Sequence, residues 1–327
     1  MNTDLNQTMH TNIQPDVKII EISNFETLPY TNACITIGNF DGVHLGHQAI
    51  INQMVRTASQ QARPVLVVTF YPNPTAFFSA QQEPFYLSTP QEKERQMLAL
   101  GVDRVITFRF NRDFANLTAE AFLLQLRDKL GLGVLVVGQD FALGKDRAGT
   151  IPVLEALGRS HGFEVMTITQ VELAEEGVSS TRVRQLLDAG AVDRAARLLG
   201  RLYSVSGEVT HGSDRGSRIG LPTANMDFWP LKKLPAVGVY ATRVRLAGQV
   251  HKGITNIGYR PTFEEQTQVN IETHILDFDQ NIYGEGISFE FVVKLRDEQK
   301  FSGVDTFLAQ IELDKAKARR IFEDDQT

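Results

Sequence analysis

Cysteine is almost absent from this chain, in which Cys34 is the only thiol among 327 residues. A single cysteine excludes a disulfide within the chain and a metal site built from several cysteines. Cys34 lies in the apolar run ACITIG, residues 33–38. Because thiols buried in apolar surroundings are unreactive, we expect an inert core residue here rather than a nucleophile.

Long apolar runs are also missing. The run VLVVTF, residues 65–70, has the length of a strand and falls far short of the about 18 residues needed to span a bilayer. The opening letters, MNTDLNQTMHTNIQP, lack the apolar core and the basic flank of a signal peptide. We therefore expect a cytoplasmic protein without a membrane partner, whose polar residues 1–17 form a flexible N-terminus.

Positive charge is in deficit as well. The 33 Lys and Arg residues face 39 Asp and Glu residues, which gives a formal net charge of -6. Because no global positive field attracts nucleic acid, we expect no nucleic-acid partner, and loop amides with a few side chains must hold any phosphate ligand locally. The hydrophobic content of 42% is typical of globular proteins, and the length predicts about two domains.

The residue pattern changes near residue 200 and divides the chain into predicted domains at 18–200 and 201–327. Before that point, short β-branched apolar runs alternate with amphipathic segments. This alternation predicts a parallel sheet with helices on both faces, whose ligands lie beyond the carboxyl ends of the strands. The predicted helices cover residues 47–60, 91–100, 119–130, 153–161 and 181–199.

After residue 200, strand-like runs follow one another without helices between them. They cover residues 203–210, 237–246, 249–257, 268–277 and 287–295. Turns rich in Gly and Pro separate these runs, which predicts a small antiparallel barrel of five or six strands. A final helix is predicted from residue 304 to about residue 322, with Ser302 as its cap. We expect Leu308, Ile311 and Leu313 to lay its apolar side on the barrel.

The first candidate site is the segment IGNFDGVHLGHQ, residues 37–48, between a predicted strand and a predicted helix. Asp41 and Gly42 favour a tight loop, and loop amides at a helix N-terminus form an anion site. His44 and His47 are three residues apart, so both imidazoles face the same side and can donate to triphosphate oxygens. The alternative is that both histidines are solvated. The string matches neither a Walker A loop nor a GxGxxG turn.

A second cluster, SSTRVR, occupies residues 179–184 at the start of another predicted helix. Hydroxyl groups at the cap leave backbone amides facing a phosphate, and Arg184 adds positive charge one turn into the helix. Taken alone, the segment is more typical of a capped helix with surface arginines. Together with the histidine loop, Ser180, Thr181 and Arg184 are interpreted as the second wall of one triphosphate site.

The second half contains a further candidate site in the string GLPTAN, residues 220–225. Pro222 fixes the backbone ahead of Thr223 and Asn225, whose oxygens suit Mg²⁺ because this ion prefers hard ligands shared with nucleotide phosphates and water. The upstream glycine loop HGSDRGS, residues 211–217, has a composition that can cover phosphates. As a lone motif, the string would more often be a simple turn.

Glu272 is the candidate general base of this second half. It is predicted to lie on a strand, with its side chain on the same face as His274. A carboxylate placed there can accept the proton of an attacking hydroxyl group, an effect worth about 10²- to 10⁴-fold in rate. The alternative is a solvated glutamate on the outside of the barrel.

The histidine loop and the SST segment resemble the nucleotidylyltransferase superfamily. With the barrel motifs added, the chain resembles the bacterial bifunctional riboflavin kinase/FAD synthetase family from about residue 33 to residue 322. The motifs that carry this resemblance are GNFDGVHLGHQ, LTAEAF, VVGQDF, SSTRVR, LLGRLYSVSG, GLPTAN, NIGYRPTF, THILDF, NIYG and KLRDEQKF.

The resemblance implies an α/β fold with a Rossmann-like nucleotidylyltransferase domain, followed by a small antiparallel barrel with a terminal helix. It implies that the barrel uses ATP and Mg²⁺ to phosphorylate riboflavin to FMN, and that the first domain transfers AMP from ATP to FMN, giving FAD and pyrophosphate. A homo-oligomer is left open.

The resemblance also implies roles for individual residues. In the first domain, His44 and His47 act at the triphosphate, and the remaining nucleotide contacts come from Gly38, Asn39, Asp41, Asp140, Ser180, Thr181 and Arg184. In the barrel, Glu272 is the base, Thr223 and Asn225 are the metal ligands, and Gly212, Gly220, Pro222 and Arg296 contact ATP or the flavin.

Four departures from the family pattern are visible. They involve Tyr71 and Asn73 in FYPNP, Ala142 and Leu143 in place of an arginine and an aromatic residue, Gly177 in place of an arginine, and a barrel motif with Arg218 displaced and Leu221 replacing phenylalanine. Three of the four fall in the first domain. Each lost charge-assisted contact is worth about 1.5–3 kcal/mol, which predicts a weaker or retuned adenylyltransferase site rather than an inactive one.

Three alternatives stay open at this point. The first keeps the kinase and makes the N-terminal domain weakened or inactive. The second is a flavin-responsive regulator that binds RNA or DNA, which the acidic net charge opposes. The third is an adenylyltransferase for another phosphate acceptor, such as a pantetheine or nicotinamide phosphate, and the PTAN barrel argues against it.

Overall fold

A computed structural model describes residues 17–79, 84–168, 177–212, 220–261 and 267–324 of the chain. The chain forms two compact units, Met1–Ser180 and Thr181–Thr327. This division lies ahead of the change of pattern near residue 200, and the predicted domain boundaries stay predictions. None of the helices within the described ranges is long and apolar enough to cross a membrane.

The first unit alternates strands and helices. Its strands are β1 (Ile19–Ile20), β2 (Ala33–Ile37), β3 (Val65–Tyr71), β4 (Arg104–Arg109), β5 (Leu132–Gly138), β6 (Ala142–Leu143), β7 (Gly149–Thr150) and β8 (Glu164–Ile168). Its helices are α1 (Leu45–Ser59), α2 (Pro74–Phe78), α3 (Pro90–Leu98), α4 (Arg112–Ala115), α5 (Ala119–Leu130) and α6 (Ile151–His161), with short 3-10 turns at Ile22–Asn24 and Lys145–Arg147.

Six strands of this unit form one sheet in the order β1-β4-β3-β2-β5-β8, and all of their pairings are parallel. Leu66 and Val67 are neighbours on β3 and belong to hydrophobic clusters on opposite faces of the sheet. The predicted parallel sheet covered on both faces is therefore confirmed. The chain runs from β2 to β3 on one side and reaches β5 on the other, so the loops after β2 and β5 open at a topological switch point.

Local sequence signals explain where the helices of this unit begin and end. Helix α3 starts with a capping box, in which Thr89 accepts from the Glu92 amide and the Glu92 carboxylate accepts from the Thr89 amide. Helix α5 starts at the cap Thr118 and ends at Gly131, which adopts a left-handed conformation. Cys34 is buried, as predicted, and burial raises the pKa of its thiol.

The second unit is a closed barrel preceded and followed by helices. The helices are α7 (Ser180–Asp188), which starts at the last residue of the first unit, α8 (Val192–Leu199) and α9 (Val304–Asp324). The strands are β9 (Tyr203–Thr210), β10 (Ala224–Phe228), β11 (Gly238–Leu246), β12 (Gln249–Pro261), β13 (Thr267–Ile275) and β14 (Gly286–Arg296), closed in the antiparallel order β10-β13-β12-β11-β14-β9. The predicted barrel is confirmed, and β10 is its sixth strand.

Two predictions about the helices are wrong. The helix predicted over 181–199 is two helices, because Gly190 adopts a φ of +71 and a side chain there would meet Lys294 at 2.8 Å. Leu313 does not lie on the barrel, since it is 64% exposed. Helix α9 instead buries Asp314, Ala318 and Phe322, which are spaced four residues apart and so share one face.

Candidate active sites

The loop after β2 is a tight turn, as predicted. Phe40, Gly42 and Val43 have φ values of 48, 78 and 39. Gly38 has no room for a side chain, because a Cβ atom there would lie 2.9 Å from the Phe40 ring. A Cβ atom at Gly46 would lie 3.2 Å from the His44 ring, so both glycines let the backbone approach closely.

The two histidines form one stacked unit at the start of α1. His44 is the helix cap, and its Nδ1 accepts from the His47 amide at 3.3 Å. The two rings stack with centroids 3.6 Å apart, and Phe40 packs edge-on against His47 at 5.1 Å. Burial, followed by the nearby His44 and Lys93, holds the pKa of His47 well below its usual 6.5. His47 is therefore a neutral imidazole, and its buried Nδ1 has no hydrogen-bond partner among the described residues.

Ser180 lies against this loop, as the sequence interpretation requires. Its Oγ donates to the Asp41 carbonyl at 2.8 Å, across 139 residues of chain. The Asp41 carboxylate accepts from the amides of Leu87 and Ser88 at 3.0 and 3.2 Å. The Gly42 amide in turn donates to Ser88 Oγ at 3.0 Å. These contacts indicate that Asp41 supports the loop from behind.

A buried lysine behind the loop was missed by the sequence analysis. Lys93 lies on α3 and is only 8% exposed. Its ammonium donates to the Asn39 carbonyl at 3.1 Å and to Thr69 Oγ1 at 2.8 Å. Burial lowers the pKa of Lys93 to about 8, while Asp41 acts in the opposite direction. Periodicity assigns a charged residue on a short helix to solvent, so the sequence contains no signal for this contact.

The remaining predicted nucleotide residues are Asp140, Thr181 and Arg184. Asp140 follows β5 at the switch point, where it is exposed and its carbonyl accepts from Arg147 at 3.2 Å. Thr181 and Arg184 belong to the second compact unit, at the start of α7. Their roles in nucleotide binding stay predictions.

In the barrel, strand pairing brings three polar side chains into one row. Glu272 on β13 is opposite Asn225 on β10 and opposite Asn256 on β12. Residues directly opposite in antiparallel strands point to the same face, so the three side chains are neighbours. The Asn270 amide group donates to Glu272 Oε1 at 2.7 Å. The sequence analysis missed Asn256, because pairing register cannot be derived from one strand alone.

The GLPTAN segment packs tightly against its surroundings. A Cβ atom at Gly212 would lie 2.2 Å from Asn225 Nδ2, so only glycine fits there. His274 Nδ1 lies 2.9 Å from the Pro222 carbonyl, and burial lowers the pKa of His274. A neutral imidazole that donates to this carbonyl ties the segment to β13. Gly220 has a φ of +76, while residues 213–217 of the glycine loop and the two residues that follow it lie outside the described residues.

The donor set at this segment fits Mg²⁺ carried by a nucleotide. Thr223 is half-buried and Asn225 is buried, and each presents a neutral oxygen atom. The described residues contain no group of three or more His, Cys, Asp or Glu side chains able to hold a metal ion. Two neutral oxygens cannot form a complete metal cage, so the other ligands must come from phosphates and water, as is usual for Mg²⁺.

Arg296, at the end of β14, is held in a fixed orientation by α9. Its guanidinium lies 2.9 Å from the Asp314 carboxylate, which is only 3% exposed, and donates to the Asp297 carbonyl at 3.0 Å. Gln310 donates to the same carboxylate at 2.9 Å. The predicted contact between Arg296 and a flavin stays a prediction.

Three of the positions that depart from the family pattern have local explanations. Asn73 caps α2, because its Oδ1 accepts from the Thr75 amide at 2.9 Å. Leu143 packs into the core on one face of the sheet, and Leu221 is buried in the second unit. A Cβ atom at Gly177 would meet nothing within 4 Å. Arg218 lies outside the described residues.

Comparison with known proteins identifies the family. A model described as FAD synthetase matches residues 28–182, and one described as riboflavin kinase matches residues 199–322. The bifunctional riboflavin kinase/FMN adenylyltransferase of Escherichia coli K12 is 39% identical, over 92% of this chain and 96% of its own. The chain belongs to the bifunctional riboflavin kinase/FMN adenylyltransferase family. The enzyme of the same name from Listeria monocytogenes is 36% identical over 89% of this chain and 93% of its own.

One solved structure resembles this member of the bifunctional riboflavin kinase/FMN adenylyltransferase family along most of its length. It is described as a macrolide-efflux protein from Streptococcus pneumoniae, and it superposes with a TM-score of 0.83 at 31% identity. The match covers 93% of this chain and 99% of that one. The family and the fold class predicted from the motifs are both confirmed.

Proposed function

We propose that the barrel phosphorylates riboflavin to FMN with ATP and Mg²⁺, and that the first unit then transfers AMP from ATP to FMN, giving FAD and pyrophosphate. The observation that carries this proposal is that one chain contains both the stacked histidine loop and the row of Asn225, Glu272 and Asn256. That chain aligns with bifunctional relatives over about nine-tenths of its length. The proposal includes domains at 18–200 and 201–327, a cytoplasmic location, and no nucleic-acid or membrane partner.

In the kinase reaction, Glu272 is the general base. It accepts the proton of the ribityl hydroxyl group while that oxygen forms a bond to the γ-phosphorus of ATP. The bond from this phosphorus to the bridging oxygen breaks, and ADP leaves with the electron pair. The hydrogen bond from Asn270 at 2.7 Å orients the carboxylate for this proton transfer.

Thr223 and Asn225 would hold the Mg²⁺ that arrives with ATP. When bound, this ion neutralises charge on the phosphate oxygens. His274 holds Pro222, and through it the metal-binding segment, by the 2.9 Å contact to the carbonyl. Gly212 and Gly220 leave room for the phosphates, and Arg296 contacts the flavin from a position set by Asp314.

In the adenylyltransferase reaction, a phosphate oxygen of FMN attacks the α-phosphorus of ATP, and the bond to the bridging oxygen breaks so that pyrophosphate leaves. Because His44 Nδ1 accepts from the His47 amide, the neutral His44 ring carries its proton on Nε2 and can donate to a phosphate oxygen. His47 and the loop amides of Asn39 and Phe40 complete the set of donors, since the amides of Gly38 and Gly42 donate to the Val68 carbonyl and to Ser88 Oγ. Asp140, Ser180, Thr181 and Arg184 are proposed as the remaining nucleotide contacts.

A time course with riboflavin, ATP and Mg²⁺ tests both steps, with FMN and FAD separated by chromatography. We expect FMN first and FAD after a lag, and both products should disappear when a chelator removes the metal. A parallel reaction started with FMN should yield FAD and pyrophosphate in equal amounts. Formation of FMN without FAD in either reaction would contradict the second step.

A kinase with a weakened or inactive first unit is the second candidate function. It is favoured by Leu143, whose side chain is committed to the core, and by Gly177, which offers no charge where the family often has an arginine. The reaction started with FMN distinguishes the two candidates directly, because only the bifunctional enzyme consumes ATP in it.

A further inference from the structure

Lys93 takes no part in the reaction scheme above, yet it is the buried cation behind the histidine loop. All three protons of its ammonium face oxygen atoms, namely the Asn39 carbonyl, Thr69 Oγ1 and, at 3.5 Å, the Phe70 carbonyl. Thr69 is itself fully buried, and its hydroxyl also donates to the Asn39 carbonyl at 3.2 Å. Lys93 and Thr69 therefore converge on one carbonyl of the loop.

The charge of Lys93 is not matched by a paired carboxylate. Across the residues that the structure describes, its partners are these three neutral oxygens, and the Asp41 carboxylate acts on it only through the electric field. Removing an ammonium from water costs several kcal/mol unless an opposite charge compensates, so unpaired buried lysines are uncommon. An anion bound at the adjacent loop would supply that compensation.

The hydrogen bond to Asn39 also fixes the direction of the loop backbone. In a trans peptide the carbonyl and the following N–H point in opposite directions. With the Asn39 carbonyl directed at Lys93, the Phe40 N–H must point away from the lysine. This orientation is set next to Phe40, whose positive φ is rare for a residue with a side chain. The lysine thus stabilises an unfavourable conformation that the loop requires.

His47 cannot supply positive charge to the same region at neutral pH, and His44 Nδ1 carries no proton because it accepts from the His47 amide. His47 is held neutral by burial and by the two nearby basic groups, of which Lys93 is one. At the loop itself, a triphosphate would therefore meet neutral donors in front and the Lys93 ammonium behind them, with Arg184 as the other proposed cation of the site. Such a fixed charge is effective because it lies in a medium of low polarity and needs no reorganisation.

We propose that Lys93 is a positioning residue for the adenylyltransferase reaction: it orients the Asn39–Phe40 peptide, and its charge is compensated by the triphosphate of ATP. This inference rests on the proposed function. The titratable groups that interact with Lys93 are the Asp41 carboxylate and the His47 imidazole, which stacks on His44. Glu92 and Tyr71 are the chain neighbours of Lys93 and of its acceptor Phe70. Burial raises the pKa of Tyr71 and lowers that of His47, so neither of them titrates near pH 8.

The test measures kcat/KM for ATP in FMN adenylylation between pH 6.5 and 9.5. In the unmodified protein we expect a decline above pH 8, because kcat/KM reports the free enzyme, in which Lys93 has a pKa of about 8 and loses its proton there. Lys93→Met should lower kcat/KM by about 10- to 100-fold at pH 7.5, the effect of one charge-assisted contact. Lys93→Arg should retain more activity than Lys93→Met and lose the alkaline decline, since arginine stays charged.

Two controls separate this role from general damage. Lys129→Met removes another lysine of the first unit, which lies at the end of α5 and donates to the Phe25 carbonyl. This variant should keep the rate of adenylylation within twofold of the unmodified protein. Riboflavin phosphorylation by the barrel should be unchanged in every variant. Adenylylation by Lys93→Met within threefold of the unmodified protein, or a flat wild-type profile from pH 7 to 9, would overturn the proposal. Absence of FAD formation in the unmodified protein would instead overturn the proposed function itself.

Discussion

In the first unit the candidate site is a loop, whereas in the barrel it is a row of side chains on paired strands. The loop depends on backbone conformation, with three residues at positive φ and a support of buried groups that includes Asp41 and Lys93. The barrel row depends on register, which places Asn225, Glu272 and Asn256 side by side. The loop site should therefore be sensitive to changes behind it, while the barrel site should tolerate removal of single side chains without loss of the fold.

The largest effect is expected from Glu272→Gln. Loss of the general base should reduce FMN formation by about 10²- to 10⁴-fold. The half-exposed strand position accommodates the isosteric amide, so the barrel should stay folded. Steady-state assays of riboflavin phosphorylation check this result, and FMN adenylylation should be unaffected. Glu290→Gln, a change to another strand glutamate of the barrel, is the matched control and should preserve both activities.

The reciprocal change, His47→Ala, should reduce FMN adenylylation and leave riboflavin phosphorylation intact. If the folded Glu272→Gln or His47→Ala variant lost both activities, the two reactions would not take place at separate sites.

A second large effect is expected from Asp314→Ala. This change leaves the largely buried Arg296 guanidinium without its carboxylate, which typically costs about 3–5 kcal/mol. Urea unfolding of the barrel, followed by its own spectroscopic signal, measures the loss. Asp297→Ala removes an exposed partner of Lys294 and should cause no measurable change. Equal stability of the two variants would show that α9 does not depend on the buried ion pair.

A gain rather than a loss is expected from Gly177→Arg. The backbone there is not left-handed, and a Cβ atom would meet nothing within 4 Å, so the arginine should be accommodated. If it restores a charge-assisted contact of about 1.5–3 kcal/mol, the KM for ATP in adenylylation should fall by about 10- to 100-fold. Gly177→Met, which adds bulk without charge, should leave KM unchanged, and an unchanged KM in both variants would mean that the missing arginine is not limiting.

The smallest effect concerns stability at acid pH. The folded pKa of His47 lies well below 6.5. Between pH 6.5 and that lower value, His47 is protonated in the unfolded chain and neutral in the folded unit. Its contribution is fully present above pH 6.5 and is lost as the pH falls towards the folded pKa, by at most about 1.4 kcal/mol per pH unit. His47→Gln should flatten this slope in unfolding experiments from pH 7 to 5. The pKa of His274 is also lowered, so a control slope of the same sign is expected from the barrel.

Sequence reasoning recovered the parts of both sites that are local in the chain. The Asp41–Gly42 turn, the stacked His44 and His47 and the barrel strands all follow from short-range patterns. It failed where a distant partner decides the outcome. Lys93 is buried because its ammonium donates to oxygen atoms of other elements. Asp314 rather than Leu313 faces inward because Asp314 forms an ion pair with Arg296.

The register between β12 and β13 is likewise set by a distant partner. The pairing of Glu272 with Asn256 is set by hydrogen bonds between two strands and has no signature within either of them. Gly190 was visible in the sequence as a glycine, but its φ of +71 and the 2.8 Å approach of a Cβ atom to Lys294 depend on the folded structure.

The interior of the barrel contains three fully buried threonines, whose hydroxyl groups form a chain across β11, β12 and β13. Thr242 and Thr255 are 2.7 Å apart, as are Thr255 and Thr273. A slip of β13 against β12 would leave these hydroxyls buried and unpaired, which costs about 1–3 kcal/mol each. Thr273 is the immediate neighbour of Glu272 on the same strand. The buried chain of hydroxyl groups therefore fixes the register of β13, which keeps the Glu272 carboxylate opposite Asn225 and Asn256.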